Sequence, residues 1–132
     1  MDRKHSQFKL RQTVDMNGEK KRFRQDLDVE LIERKDRYYR YTEKLDEHEM
    51  DVVLRAGDGF VKIQRRGVIN MNFHFEEGRT TETFYESPAG KHLFRIYTTR
   101  LDVGDGLVDI EYNLIEDGTV IGNYHYKLEK VG

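Results

Sequence analysis

The chain contains no cysteine and a single proline among 132 residues. Without cysteine, a disulfide framework, a thiolate nucleophile and a zinc ribbon are all excluded, and a reducing compartment suits the protein. Long apolar runs are missing too, since no segment approaches the roughly 20 apolar residues of a membrane helix. The opening MDRKHSQFKL also has no apolar stretch of signal-peptide length. A soluble, cytoplasmic protein that does not engage membranes is therefore expected. Nor is there an excess of one charge: 23 basic and 25 acidic residues leave a net −2, although 36% of the chain is charged. A balanced surface argues against a general polyanion binder.

The balance is uneven along the chain. Residues 1–40 hold 12 Lys/Arg against 8 Asp/Glu, and the remainder 11 against 17. The early strands thus form a mildly basic region, most simply a solvated outer face. At this length a single domain, 1–132, can bury a core without disulfide or metal staples.

What is present is alternation. From Gln64 to Gly78, Ile69, Met71, Phe73 and Phe75 fall on one parity, and Asn70, Asn72, His74 and Glu76 on the other. That is the signature of a strand with one apolar and one wet face. The same parity runs back through Gly67 to Arg65, Ile63 and Val61, with a bend or tight turn at the glycine. Similar stretches recur: Phe8 to Met16, then Phe23 to Leu31 after Asn17-Gly18, a strong hairpin signal because type I′ turns need positive φ at both central positions. Tyr39, Tyr41 and Glu43 share the next face, and Met50 to Arg55 precedes a turn at Asp58-Gly59. Thr81 to Tyr85, a loop at Pro88, His92 to Thr98, Val108 to Leu114, and Val120 to Leu128 complete the series.

No segment has helical periodicity. About eight to ten strands separated by Gly-containing turns predict an all-β protein, a single closed antiparallel up-and-down barrel, with a β-sandwich as the alternative. Closure is preferred because several strands carry an apolar face that nothing helical covers, and a barrel leaves no exposed edges.

An ordered series of motifs resembles the YwiB-like family of uncharacterised bacterial proteins. Its members are Tyr41-Thr42-Glu43, Arg65 through Met71 to Phe75 and Gly78, Thr81, Tyr85, Gly90, Ile96-Tyr97-Thr98, and Gly106 leading into Ile110 to Leu114. The resemblance implies a calycin, or lipocalin-like, barrel able to hold a small, largely apolar ligand, and supplies no reaction. Fatty-acid-binding proteins share the strand count and length, but this chain lacks their helical lid between the first two strands and their C-terminal Arg-x-Tyr. Carry-over of a fatty-acid site is therefore unsupported.

Arg65 is the outstanding candidate, because a guanidinium on an apolar parity needs an anion or several acceptors if buried. Glu43 offers one. Tyr39, Tyr41, Tyr85, Tyr112, Tyr124 and Tyr126 all fall on expected inward parities and add hydroxyls to the wall. These eight residues form the expected ligand-binding set. The competing reading is a structural Arg65–Glu43 pair in a barrel plugged by its own tyrosines.

Catalysis is not expected. No G-x-S-x-G elbow is present, Ser6 and Ser87 have no neighbouring base, and Asp102, Asp105 and Asp109 sit in or beside a turn where charge is normally solvated. The five histidines lack metal-binding spacing, and His74 and His125 fall on polar parities, so neither a metal nor a cofactor is implied. Lys20 to Arg24 is a basic run around Phe23, but Phe23 shares the inward parity of Leu27 and Val29 and reads as core, which disfavours nucleic-acid binding. The expectation is a non-enzymatic barrel holding a small hydrophobic or amphipathic ligand. A filled barrel serving protein interaction or homo-oligomerisation is the alternative, and cavity volume separates the two.

Overall fold

A computed structural model describes residues 2–45 and 47–132, with no side-chain description at 2 and 45. Among the described residues ten strands run in chain order: β1 (Asp2–Met16), β2 (Glu19–Glu33), β3 (Arg37–Leu45), β4 (His48–Gly57), β5 (Phe60–Arg66), β6 (Asn70–Phe75), β7 (Thr80–Ser87), β8 (Gly90–Gly104), β9 (Leu107–Glu116) and β10 (Thr119–Lys130). Each pairs antiparallel with its sequence neighbour, and β1 pairs with β10, so the meander closes into a barrel. The sandwich alternative is thereby excluded. Among the described residues no helix is long and apolar enough to cross a membrane.

Local chemistry explains the meander. Asn17 and Gly18 have φ of 55° and 76°, and Asp117 and Gly118 have 50° and 78°, the doubly positive pattern of two-residue hairpins that match strand twist. The stretch from Gln64 to Gly78 is two strands rather than one, because the chain reverses at 67–69. The parity survives the reversal, since Arg65 pairs directly with Met71 and Ile63 with Phe73. Directly paired residues project to the same face of a sheet.

Two irregularities shift the parity elsewhere. A bulge between Thr98 and Arg100 moves the inward set of β8 from Thr98 to Leu101, and one between Val120 and Gly122 turns Val120 outward, where it is exposed. The expected inward run from Val120 to Leu128 therefore begins at Gly122. Room for a side chain is short at Gly122: a Cβ there would lie 3.0 Å from the Tyr124 ring and 3.3 Å from Met16.

Inward residues fill one half of the barrel. Phe8, Leu10, Val29, Tyr39, Leu54, Ile63, Phe75, Ile110 and Leu128 are among the fully or nearly fully buried side chains of one continuous core, with Phe8 edge-on to Tyr39 at 5.8 Å. The other half is not filled. On β2 the inward positions Leu27, Val29 and Leu31 give way to Lys21, Phe23 and Gln25, of which only Phe23 is apolar. β2 and β3 pair only over Glu30–Glu33 and Arg37–Arg40, and the seam between them opens beyond.

Candidate functional site

The open half encloses a cavity of about 730 Å³, within the 300–1,000 Å³ typical of small-molecule sites. Its wall is mainly aromatic and aliphatic: Leu10, Val14, Met71, Phe73, Tyr85, Phe94, Tyr112, Leu114 and Tyr124. Tyr112 stacks on Tyr124 at 5.1 Å and meets Phe75 at 4.9 Å, while Tyr85 stands edge-on to Phe94 at 6.3 Å. These contacts hold the rings as a preformed wall.

A polar cluster joins three strands within this wall. Gln12 of β1 donates from Nε2 to Glu43 Oε1 of β3 at 3.2 Å, Arg65 of β5 donates from a terminal nitrogen to Gln12 Oε1 at 3.4 Å, and Arg65 Nε lies 3.5 Å from Glu43 Oε2. The last contact is an ion pair without a hydrogen bond, since among the described residues neither buried atom has a hydrogen-bond partner. Arg65 and Glu43 side chains are 15% and 7% exposed. Burial alone would lower the Arg65 pKa, but the Glu43 carboxylate and the surrounding tyrosines hold it above its ordinary value. Its guanidinium also lies 5.8 Å from the Phe73 ring centre.

The eight expected residues divide between wall and floor. Arg65, Glu43, Tyr85, Tyr112 and Tyr124 line the cavity. Tyr41 and Tyr126 are buried beneath it, hydroxyl to hydroxyl at 2.6 Å. Burial pushes Tyr41 up to about 12 and Tyr126 well above the ordinary phenol value. Tyr112 and Tyr124 are raised by burial as well. Tyr39 packs in the filled half, its pKa raised by desolvation against the opposing pull of Arg37. The inward parity of all six tyrosines thus holds, but it does not distinguish wall from floor.

Gln12 was discernible by the argument that singled out Arg65, a polar residue on an apolar parity, and it joins the pair. The cavity opens at the β2–β3 seam, where Arg22, Phe23, Arg24 and Gln25 form one lip and Glu43 and Lys44 the other. Phe23 is 51% exposed rather than core, because its strand has already left β3 at that point.

On the outer face of the barrel wall, Asp109 also departs from expectation. It lies within β9, buried, 2.6 Å from His125 Nε2 and 3.7 Å from Arg100, not in a solvated turn. His74 bonds Glu76 at 2.8 Å. Both histidines are therefore partnered on the outer wall rather than simply solvated. Among the described residues no group of three His, Asp or Glu side chains is placed to hold a metal.

No curated protein matches the chain. The crystal structure of the ywiB protein from Bacillus subtilis is similar to it, with a TM-score of 0.74 and 19% identity over 98% of this chain and 96% of the other. At that identity the likeness concerns the fold. Residues 8–128 match the family model described as a domain of unknown function, DUF1934, and with nearly the whole barrel covered the chain belongs to that YwiB-like family.

Proposed function

We propose that the protein binds a small hydrophobic or amphipathic molecule in the open half of its barrel and performs no chemistry on it. The observation that carries this reading is the cavity of about 730 Å³ with its aromatic wall and one buried polar cluster. A barrel used only through its outer surface has no need of such a space, and small barrels readily fill theirs. A few polar groups within an apolar pocket fix a ligand's orientation rather than supply most of its affinity. Against catalysis, burial pushes Tyr112 and Tyr124 of the wall further above the ordinary phenol value, so neither is poised as a general acid or base at neutral pH.

The test uses 1-aminoanthracene, an uncharged fluorophore that brightens in apolar sites. Saturable binding by the parent is expected, with at least a tenfold loss in Leu114→Trp, which projects an indole into the cavity. Circular dichroism must show that the variant remains folded. An absence of probe binding to the parent refutes the proposal.

A further inference from the structure

The open seam between β2 and β3 has a chemistry distinct from the cavity behind it. Its lips carry Arg22 and Arg24 on one side and Lys44 on the other, all lining the entrance and all exposed. Among the described residues none of the three has an ion-pair partner, whereas Arg37, Arg40, Arg55, Arg65 and Arg100 each meet a carboxylate. Glu43, the one carboxylate among the described lip residues, is already engaged by Arg65 and Gln12. The entrance is therefore a local excess of positive charge beside an apolar interior.

The buried guanidinium is not an equivalent anion site. Arg65 is neutralised by Glu43, so a second carboxylate brought to it would face Glu43 as well, in a poorly screened setting. The two lip arginines pair across the sheet with Thr13 and Arg11, so no carboxylate stands opposite them, and Lys44 lies opposite Glu49 without forming an ion pair with it. Resting on the lumen-binding reading above, we infer that the ligand is an amphipathic anion. Its apolar part lies among Phe73, Phe94, Tyr112 and Tyr124, and its anionic head, a carboxylate or phosphate, lies in the seam on Arg22, Arg24 and Lys44. Phe23, exposed between the two arginines, covers the junction of head and chain. The opening that admits the ligand is also the place that reads its charge.

The experiment compares laurate, dodecyl phosphate, dodecanol and dodecyltrimethylammonium as competitors of 1-aminoanthracene. Laurate and dodecyl phosphate are expected to compete about tenfold better than dodecanol, since three exposed charge contacts supply roughly 1.4 kcal/mol together. The advantage should shrink as salt is raised to 0.5 M. The triple variant R22Q/R24Q/K44Q should lose it while leaving dodecanol unchanged. These positions are exposed, so the fold is not at risk, and the probe's own binding confirms this in the same titration.

Equal competition by laurate and dodecanol overturns the inference while leaving lumen binding intact, as does preference for the trimethylammonium compound. Retention of the anion preference in the triple variant with its loss in Arg65→Met moves the head to Arg65 and equally overturns it. Displacement by a single-stranded oligonucleotide in preference to laurate assigns the lip to a polyanion instead. Failure of 1-aminoanthracene to bind the parent removes the lumen reading itself.

Discussion

Removing either partner of the Arg65–Glu43 pair is the sharpest test of how the barrel interior is organised. Arg65→Met takes away the guanidinium and leaves Glu43, 7% exposed, with a single hydrogen bond from Gln12. Breaking a buried pair from one side costs about 3–5 kcal/mol because a charge is stranded. The 3.5 Å Nε–Oε2 separation without a hydrogen bond, and the adjoining cavity, place this pair at the low end, so ~3 kcal/mol is expected. For a chain of 132 residues, with an unfolding entropy near 2.1 cal/mol/K per residue, that corresponds to a fall in Tm of roughly 10 °C. Glu43→Leu should behave alike, stranding the cation. The double variant Arg65→Met/Glu43→Leu should recover to within ~1 kcal/mol of the parent, because apolar replacements of similar volume abolish both desolvation terms. Urea unfolding of the four proteins measures the cycle. Losses below ~0.5 kcal/mol in both single variants, adding without coupling in the double, would show that cavity water solvates each charge separately and would refute the argument.

Other outcomes follow from the same geometry. Tyr41→Phe removes one member of the buried hydroxyl pair and strands the Tyr126 hydroxyl, costing about 1–3 kcal/mol, whereas Tyr41→Phe/Tyr126→Phe should be less destabilising than the single change. With Tyr41 raised by burial from 10.0 to about 12, the unfolded chain loses its proton first. The associated stability is therefore complete below pH 10 and disappears as pH climbs through 12; a chemical-denaturation series from pH 9 to 12 should show this loss in the parent and not in Tyr41→Phe. Phe8→Ala in the filled half should cost about 3–5 kcal/mol, whereas Phe94→Ala, beside existing free volume, should cost nearer ~1 kcal/mol. Equal losses from these two, measured by chemical denaturation, would contradict the division of the barrel into filled and hollow halves.

The amino-acid order determined much of this architecture because its signals are local. Alternation with a period of two names the inward residues of each strand, and Asn17-Gly18 and Asp117-Gly118 dictate tight reversals, so neighbours in sequence become neighbours in the sheet. Even the inward aim of Arg65 follows from parity, and the charge on Glu43 identifies its partner. Parity is blind to two things. It cannot register a bulge, which is why Val120 and the far end of β8 change sides, and it cannot give height along the barrel axis, which separates Tyr112 on the cavity wall from Tyr41 in the floor.

The tertiary structure alone decided where the barrel is full and where it is open. Whether an inward side chain meets a neighbour depends on the stagger of ten strands around a closed sheet, a property that no single strand contains. Phe23 shows the consequence: its parity is that of core, yet β2 has parted from β3 at its level, and the residue stands at an entrance. From Glu19 to Asp26 Phe23 is the one apolar residue. Only the closed sheet, in which β2 and β3 pair over Glu30–Glu33 and Arg37–Arg40 alone, puts a cavity behind that stretch.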